Sequence, residues 1–107
     1  MSGEDSHKLF SKIRGFEWNE KKRSQNLKKH DIDFDDARVA FDGPILVRES
    51  NRGAENRYIV LGFLGETEIA VICTFREDRC RIISARRARA NEKKELYHRF
   101  KRRPETG

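Results

Sequence analysis

Only two cysteines, two prolines, one methionine and one tryptophan occur among the 107 residues. No apolar stretch comes near the roughly 20 residues that a membrane-spanning helix needs, and the basic start and apolar run of a signal peptide are missing. The expectation is therefore a cytoplasmic protein with no membrane partner. Cys73 and Cys80 are too few for a disulfide framework and sit inside apolar, strand-like runs, which reads as core thiols, with a regulatory disulfide as the lesser alternative. The three histidines, His7, His30 and His98, are scattered singly, so zinc-ligand spacing is lacking and no metal or other cofactor is expected.

What the chain has in quantity is charge. Charged residues make up 39% and hydrophobic residues 36%, which leaves a small core under a densely ionic surface, although seven phenylalanines add bulk. A chain of this length forms one domain, placed at residues 13–101, with residues 1–12 and 102–107 as frayed tails. The net charge of +6 is unevenly spread: the segment Arg76 to Arg103 carries 12 basic and 4 acidic residues, and the rest of the chain is slightly acidic. A cationic surface of that density attracts phosphate backbones, acidic proteins or anionic lipid, nucleic acid being the commonest partner. A solvated basic face with no ligand is the plain alternative.

Local patterning predicts the elements. Ile13 to Trp18 reads as an edge strand, and Asn19 as the N-cap of a helix that runs to His30 and stops at Asp31. Asp33 with Asp36 resembles the start of a second, shorter helix that Asp42-Gly43-Pro44 ends. The period then becomes extended: Ile45 to Glu49, a Ser50-Asn51-Arg52-Gly53 loop, Arg57 to Leu64, a Gly65-Glu66 turn, Glu68 to Arg76 and Arg79 to Arg87. A last helix from about Arg89 to Lys101 anchors through Leu96 and Phe100. The order β-α-α-β-β-β-β-α predicts an α+β fold: an antiparallel sheet of about four strands, helices on one face and the other face partly open.

Several blocks then line up in order: Phe16-Glu17-Trp18, Lys22, Asn26-Leu27-Lys28-Lys29-His30, Phe34, Ala37, Phe41-Asp42, Arg57-Tyr58, Leu61-Gly62 and Arg81-Ile82-Ile83-Ser84-Ala85-Arg86. From about Phe16 to Tyr97 the sequence resembles the BrnT toxin family. That resemblance implies a RelE-like fold, endoribonuclease activity that blocks translation, and neutralisation by a cognate BrnA-type antitoxin, with DNA reached only indirectly through the antitoxin. The family usually has glycine after the Lys-His pair, where this chain has Asp31. Aspartate tolerates a left-handed helix cap at some cost relative to glycine.

Metal-free RNA cleavage requires a base for the ribose 2′-hydroxyl, an acid for the leaving oxygen, and cations to hold the charged phosphorane. Histidine is the residue type suited to act as acid or base near neutral pH, which makes His30 the candidate, and Lys22, eight residues earlier, lies only about 80° away around the same helix. Capping of the helix end is the structural alternative for His30. If the last two strands join through a two-residue loop, Thr74 stands opposite Arg81 on one face, with Ile72 and Arg76 beside them, while Cys73, Phe75, Cys80 and Ile82 share the other. In that register Arg81 clamps phosphate, Thr74 donates a neutral hydrogen bond, and Arg57 adds a second positive charge from the neighbouring strand. Lys29, Arg76, Arg79, Arg86 and Arg87 complete the surface expected to bind RNA. Ser84 and Arg86 fall on the opposite face, where Arg86 has the alternative of pairing with an acidic helix residue such as Asp36; a one-residue slip reverses this. Trp18 and Tyr97 are either base-stacking groups or core. Two rivals remain: a binding module that grips nucleic acid without cleaving it, and a basic surface made chiefly to receive an acidic antitoxin segment.

Overall fold

The computed structural model describes residues 12–100 other than 53 and 54, so the expected tails, apart from Lys12, lie outside the described residues. Strand β1 covers Gly15–Glu17, helix α1 Glu20–His30, and helix α2 Phe34–Ala37, which continues into a 3-10 turn at Arg38–Asp42. Strands β2 (Leu46–Arg52), β3 (Glu55–Leu64), β4 (Thr67–Arg76) and β5 (Arg79–Arg87) follow, and helix α3 (Ala90–Phe100) closes the series.

The helix ends follow from side chains in the sequence. The Asn19 side chain accepts the Lys22 N–H, and α1 stops where Asp31 enters the left-handed region at φ 60°, its N–H donating to the Leu27 carbonyl. Asp33 caps α2 by accepting the Asp35 N–H at 3.0 Å. The same carboxylate receives the Arg23 fork at 2.7 and 3.0 Å, which ties the two helices together and holds Asp33 below the usual carboxylate range.

The expected loop at Ser50 is shorter than the sequence suggested, because Ser50–Arg52 belong to β2 and pair with Glu55–Arg57. The next two connections are tight hairpins. Leu64 faces Thr67 and Arg76 faces Arg79, each pair closing a two-residue loop whose first residue has positive φ: Gly65 at 64° and Glu77 at 61°. Glycine suits that geometry; Glu77 adopts it at a cost.

The expectation of about four antiparallel strands is corrected: the sheet has five, in the order β1-β5-β4-β3-β2, and β1 runs parallel to β5. Strand β1 is the edge strand that the sequence suggests; its partner lies some sixty residues away in the chain, and such a long link permits a parallel crossover. A second correction concerns the helices, which occupy both faces. Phe34, Ala37 and Ala40 pack with Val60, Ile69, Val71, Cys73, Cys80, Ile82 and Ala85 on one face. Leu96 of α3 packs on Leu61 and Ala70 on the other, with Ile59, Phe63 and Phe100 around them. The apolar run of β3 has large side chains on both of its faces, so each requires cover. Gly62 lets the 3-10 turn sit close, since a Cβ there would come within 3.3 Å of the Ala40 and Ile45 side chains.

Among the described residues, α3 packs only on the half of its face around Leu61 and Ala70, and no helix lies over the ends of β3, β4 and β5 beyond Ile59 and Ile72.

Candidate functional site

Backbone register builds a cross-strand line on that uncovered half. Ser50 pairs with Arg57, Thr74 with Arg81 and Arg81 with Glu17, while Tyr58 opposite Cys73 places Arg57 beside Thr74. Ser50, Arg57, Thr74, Arg81 and Glu17 thus form one row across all five strands. Pleating adds Arg76 and Arg79 to the same face, so four arginines share it, and two of them, Arg79 and Arg81, hold the carboxylate of Glu17. The two-residue hairpin inferred from sequence sets this alignment, and Cys73, Phe75, Cys80 and Ile82 lie on the far side as expected. A hydrogen bond with the neighbouring Cys80 sulfur, and then burial, push the Cys73 thiol well up, as befits a core residue.

The row is tied internally. Glu17 Oε2 accepts from Arg81 Nη1 and Glu17 Oε1 from Arg79 Nε, both at 3.2 Å. Thr74 is almost buried and donates its hydroxyl to the Asn56 carbonyl at 2.7 Å. The donor expected to reach a phosphate is therefore engaged with backbone, where it fastens β3 to β4 at the row.

Lys22 and His30 share a groove, but in a different place. With Lys29, Gln25, Asn26, Ile83 and Ser84 they line an open groove of about 190 Å³ between α1 and the outer edge of β5. The structure thus gathers the predicted residues into two groups, the arginine row and the helix groove, which follow one another along β5 at residues 79–81 and 83–84.

A β-bulge separates them. Ile72 pairs with Ser84 but Cys73 with Ile82, leaving Ile83 as an extra residue on β5. The bulge overturns the predicted facing of Arg86, which opposes Ala70 and lies on the α3 side with Thr74 and Arg81. Its partner is Glu92 of α3, not Asp36, through a bidentate pair at 2.8 and 3.0 Å. Glu92 also accepts the Arg89 N–H, capping α3, and these contacts, the Arg86 one foremost, hold its carboxyl down at about 2. Arg86 is accordingly committed to positioning α3. On the opposite flank Arg48 pairs with Glu95 at 2.7 Å, so α3 is clamped from two strands. Arg87 is exposed at the end of β5.

Beyond the end of β1, the free edge of β5 is completed by one side chain. The buried Asn26 amide donates to the Ala85 and Ile32 carbonyls at 2.9 Å each, and its oxygen accepts from the Ala85 N–H at 3.1 Å and the Ser84 hydroxyl at 3.2 Å. Glu17 and Asn26 entered the reading of the sequence only as members of the blocks that carry the resemblance, and none of Asn26, Glu17 and Glu92 was a candidate site residue. Glu92 stands three residues after its cap, the spacing of a capping box, but the cap is arginine where the usual signal is Ser or Thr. Glu17 and Asn26 act through partners some sixty residues away and leave no local trace.

A second cavity of about 370 Å³ lies on the other side of β1, lined by Ile13, Arg14, Gly15, Phe16, Trp18 and Arg38. Trp18 is half-buried there, edge-to-face on Phe34 with ring centroids 6.0 Å apart and its Nε1–H on Glu20. Tyr97 is half-buried on α3. Among the described residues no group of three or more His, Cys, Asp or Glu side chains could hold a metal ion, and no helix is long and apolar enough to cross a membrane.

Comparison with known proteins adds to this geometry. The family model described as the ribonuclease toxin BrnT of type II toxin-antitoxin systems matches residues 18–92. The crystal structure of the Brucella abortus ribonuclease toxin BrnT superposes with a TM-score of 0.55 at 26% identity, over 70% of this chain and 96% of that one. No curated protein matches. The family match spans both the arginine row, from Arg57 to Arg81, and the groove of Lys22 and His30, and on it the chain belongs to the BrnT family of ribonuclease toxins from type II toxin-antitoxin systems.

Proposed function

We propose that the chain is a metal-independent endoribonuclease of RelE-like design that acts in the cytoplasm, cleaves RNA through its 2′-hydroxyl, inhibits translation and is neutralised by a BrnA-type antitoxin. The observation that carries this reading is the row itself: four arginines from three strands on one uncovered face, with Arg57 and Arg81 separated only by Thr74. A pentacoordinate phosphorane gathers negative charge on its equatorial oxygens, and planar guanidinium forks fixed in a sheet stabilise it without reorganising during the reaction. Charge stabilisation of that kind is the service a metal ion would otherwise supply. Lys22, Lys29 and His30 add cationic and proton-transferring groups along the same strand, suited to the flanking RNA or the leaving oxygen. The exposed Arg76, Arg79 and Arg87 extend the surface over which single-stranded RNA is held.

The test is turnover of a single-stranded RNA by the purified chain in the presence of a chelator. Arg81→Ala is expected to fold and to lose about 100-fold or more in rate, as removal of one charge-stabilising donor does in other enzymes. Stoichiometric binding without cleavage would leave a binding module and refute the proposal.

A further inference from the structure

The carboxylate of Glu17 is out of place in a site that binds a polyanion. It is the single acidic member of the row, it lies between two arginines, and by Coulomb repulsion it weakens any phosphate that approaches them. A structural purpose accounts poorly for it. The Glu17, Arg79 and Arg81 side chains are 24%, 53% and 32% exposed, and ion pairs in such surroundings add little stability. Strand β1 is already held by its backbone pairing with β5 and by Phe16, whose ring packs edge-to-face on Phe41 at 5.1 Å.

The geometry points to Glu17 as the group that takes the proton from the attacking 2′-hydroxyl, freed from Arg79 and Arg81 when the scissile phosphate takes its place on them. This inference rests on the ribonuclease reading and deepens it. In the unoccupied row the two guanidiniums engage both carboxylate oxygens; when phosphate oxygens occupy those donors, the carboxylate stays within one strand spacing of the phosphorus with its lone pairs released. The 2′-hydroxyl proton passes to Glu17 as the 2′-oxygen to phosphorus bond forms. The bond from phosphorus to the 5′-oxygen breaks, and that oxygen leaves with the electron pair and takes a proton from water. The products are a 2′,3′-cyclic phosphate and a 5′-hydroxyl, with no change of oxidation state.

The charged groups around Glu17 are few. Arg79 and Arg81 face it from β5, and Arg57 and Arg76 lie farther along the same face. Arg14 on its own segment is turned to Asp78, and Glu20 in the first turn of α1 is engaged by Trp18 and Arg23. Arginines do not titrate below pH 10, so the acidic limb of the rate profile belongs to Glu17.

The experiment measures single-turnover cleavage of a fluorescent single-stranded RNA against pH, and binding of its uncleavable 2′-deoxy counterpart, for the full chain and for Glu17→Gln and Glu17→Asp. Glu17→Gln is expected to lose about 100-fold or more in rate, to lose the acidic limb, and to bind the 2′-deoxy strand as tightly as the parent or more tightly. Glu17→Asp keeps a carboxylate and should keep the limb at a lower plateau. Cleavage by Glu17→Gln within about threefold of the parent, or faster, overturns the inference and makes Glu17 an electrostatic plug. If Glu17→Gln does not fold, Glu17→Asp decides: loss of the limb there also overturns it. A parent chain that binds the RNA and leaves it intact removes the ribonuclease reading itself, an outcome distinct from a parent that cleaves and a variant that cleaves equally well.

Discussion

Replacing Asn26 by alanine removes one amide and strands several backbone groups. The Ala85 N–H and carbonyl, the Ile32 carbonyl and the Ser84 hydroxyl all lose a partner at once, and Asn26 is only 7% exposed. A buried polar group left unpaired costs roughly 1–3 kcal/mol, and the groove beside Ser84 lets water relieve part of this. The three backbone groups together then cost about 3–5 kcal/mol, a large part of the roughly 5–15 kcal/mol that holds a domain folded. At about 4–8 °C per kcal/mol for a domain of this size, the melting temperature should fall by roughly 12–40 °C. Urea and thermal unfolding followed by circular dichroism measure the loss, and hydrogen exchange at the Ala85 amide localises it. Asn26→Asp keeps the acceptor but turns a carboxylate toward the two carbonyls that Nδ2 served, so it should be at least as damaging at neutral pH. An Asn26→Ala variant within about 1 kcal/mol of the parent, with Ala85 still protected, would show that the amide does not complete the edge of β5 and that the α1 contact rests on other groups.

Two further outcomes follow from the same structure. Glu77→Gly relieves a positive φ at the first position of a two-residue hairpin, the position filled by glycine in the preceding turn, and should raise stability by about 0.5–1 kcal/mol in urea unfolding; a loss would mean that the Glu77 side chain makes a compensating contact. Glu92 is held at about 2 in the fold against 4.5 normally, so its stabilisation is complete above roughly pH 4.5 and disappears as the pH falls toward 2. The gap in urea midpoint between the parent and Glu92→Gln should therefore narrow over that range, and a gap independent of pH would contradict the Arg86 attachment of α3.

The ion pairs of α3 also bear on the open face. Because Arg86 and Arg48 fix α3 from two strands, the helix covers Leu61 and Ala70 but stops short of the arginine row. Leu96, with Phe100 beside it, supplies the apolar part of that attachment.

Composition and short-range pattern determined much of this protein. Helix starts at Asn19 and Asp33, the stop at Asp31, the four long strands and the alignment of Thr74 with Arg81 all depend on residues within a few positions of each other, where periodicity, capping and turn length act. Arg76, Arg79 and Arg81 were legible for the same reason, since a two-residue hairpin fixes the facing of its two strands as far as the bulge. Only the tertiary structure decided the parallel seat of β1 beside β5, the bulge at Ile83, the placement of α3 on the second face, and so the partners of Glu17, Asn26 and Arg86. Each of those joins groups far apart in the chain or depends on one inserted residue that reverses every later side chain of a strand, and no local signal distinguishes such a register from its neighbours.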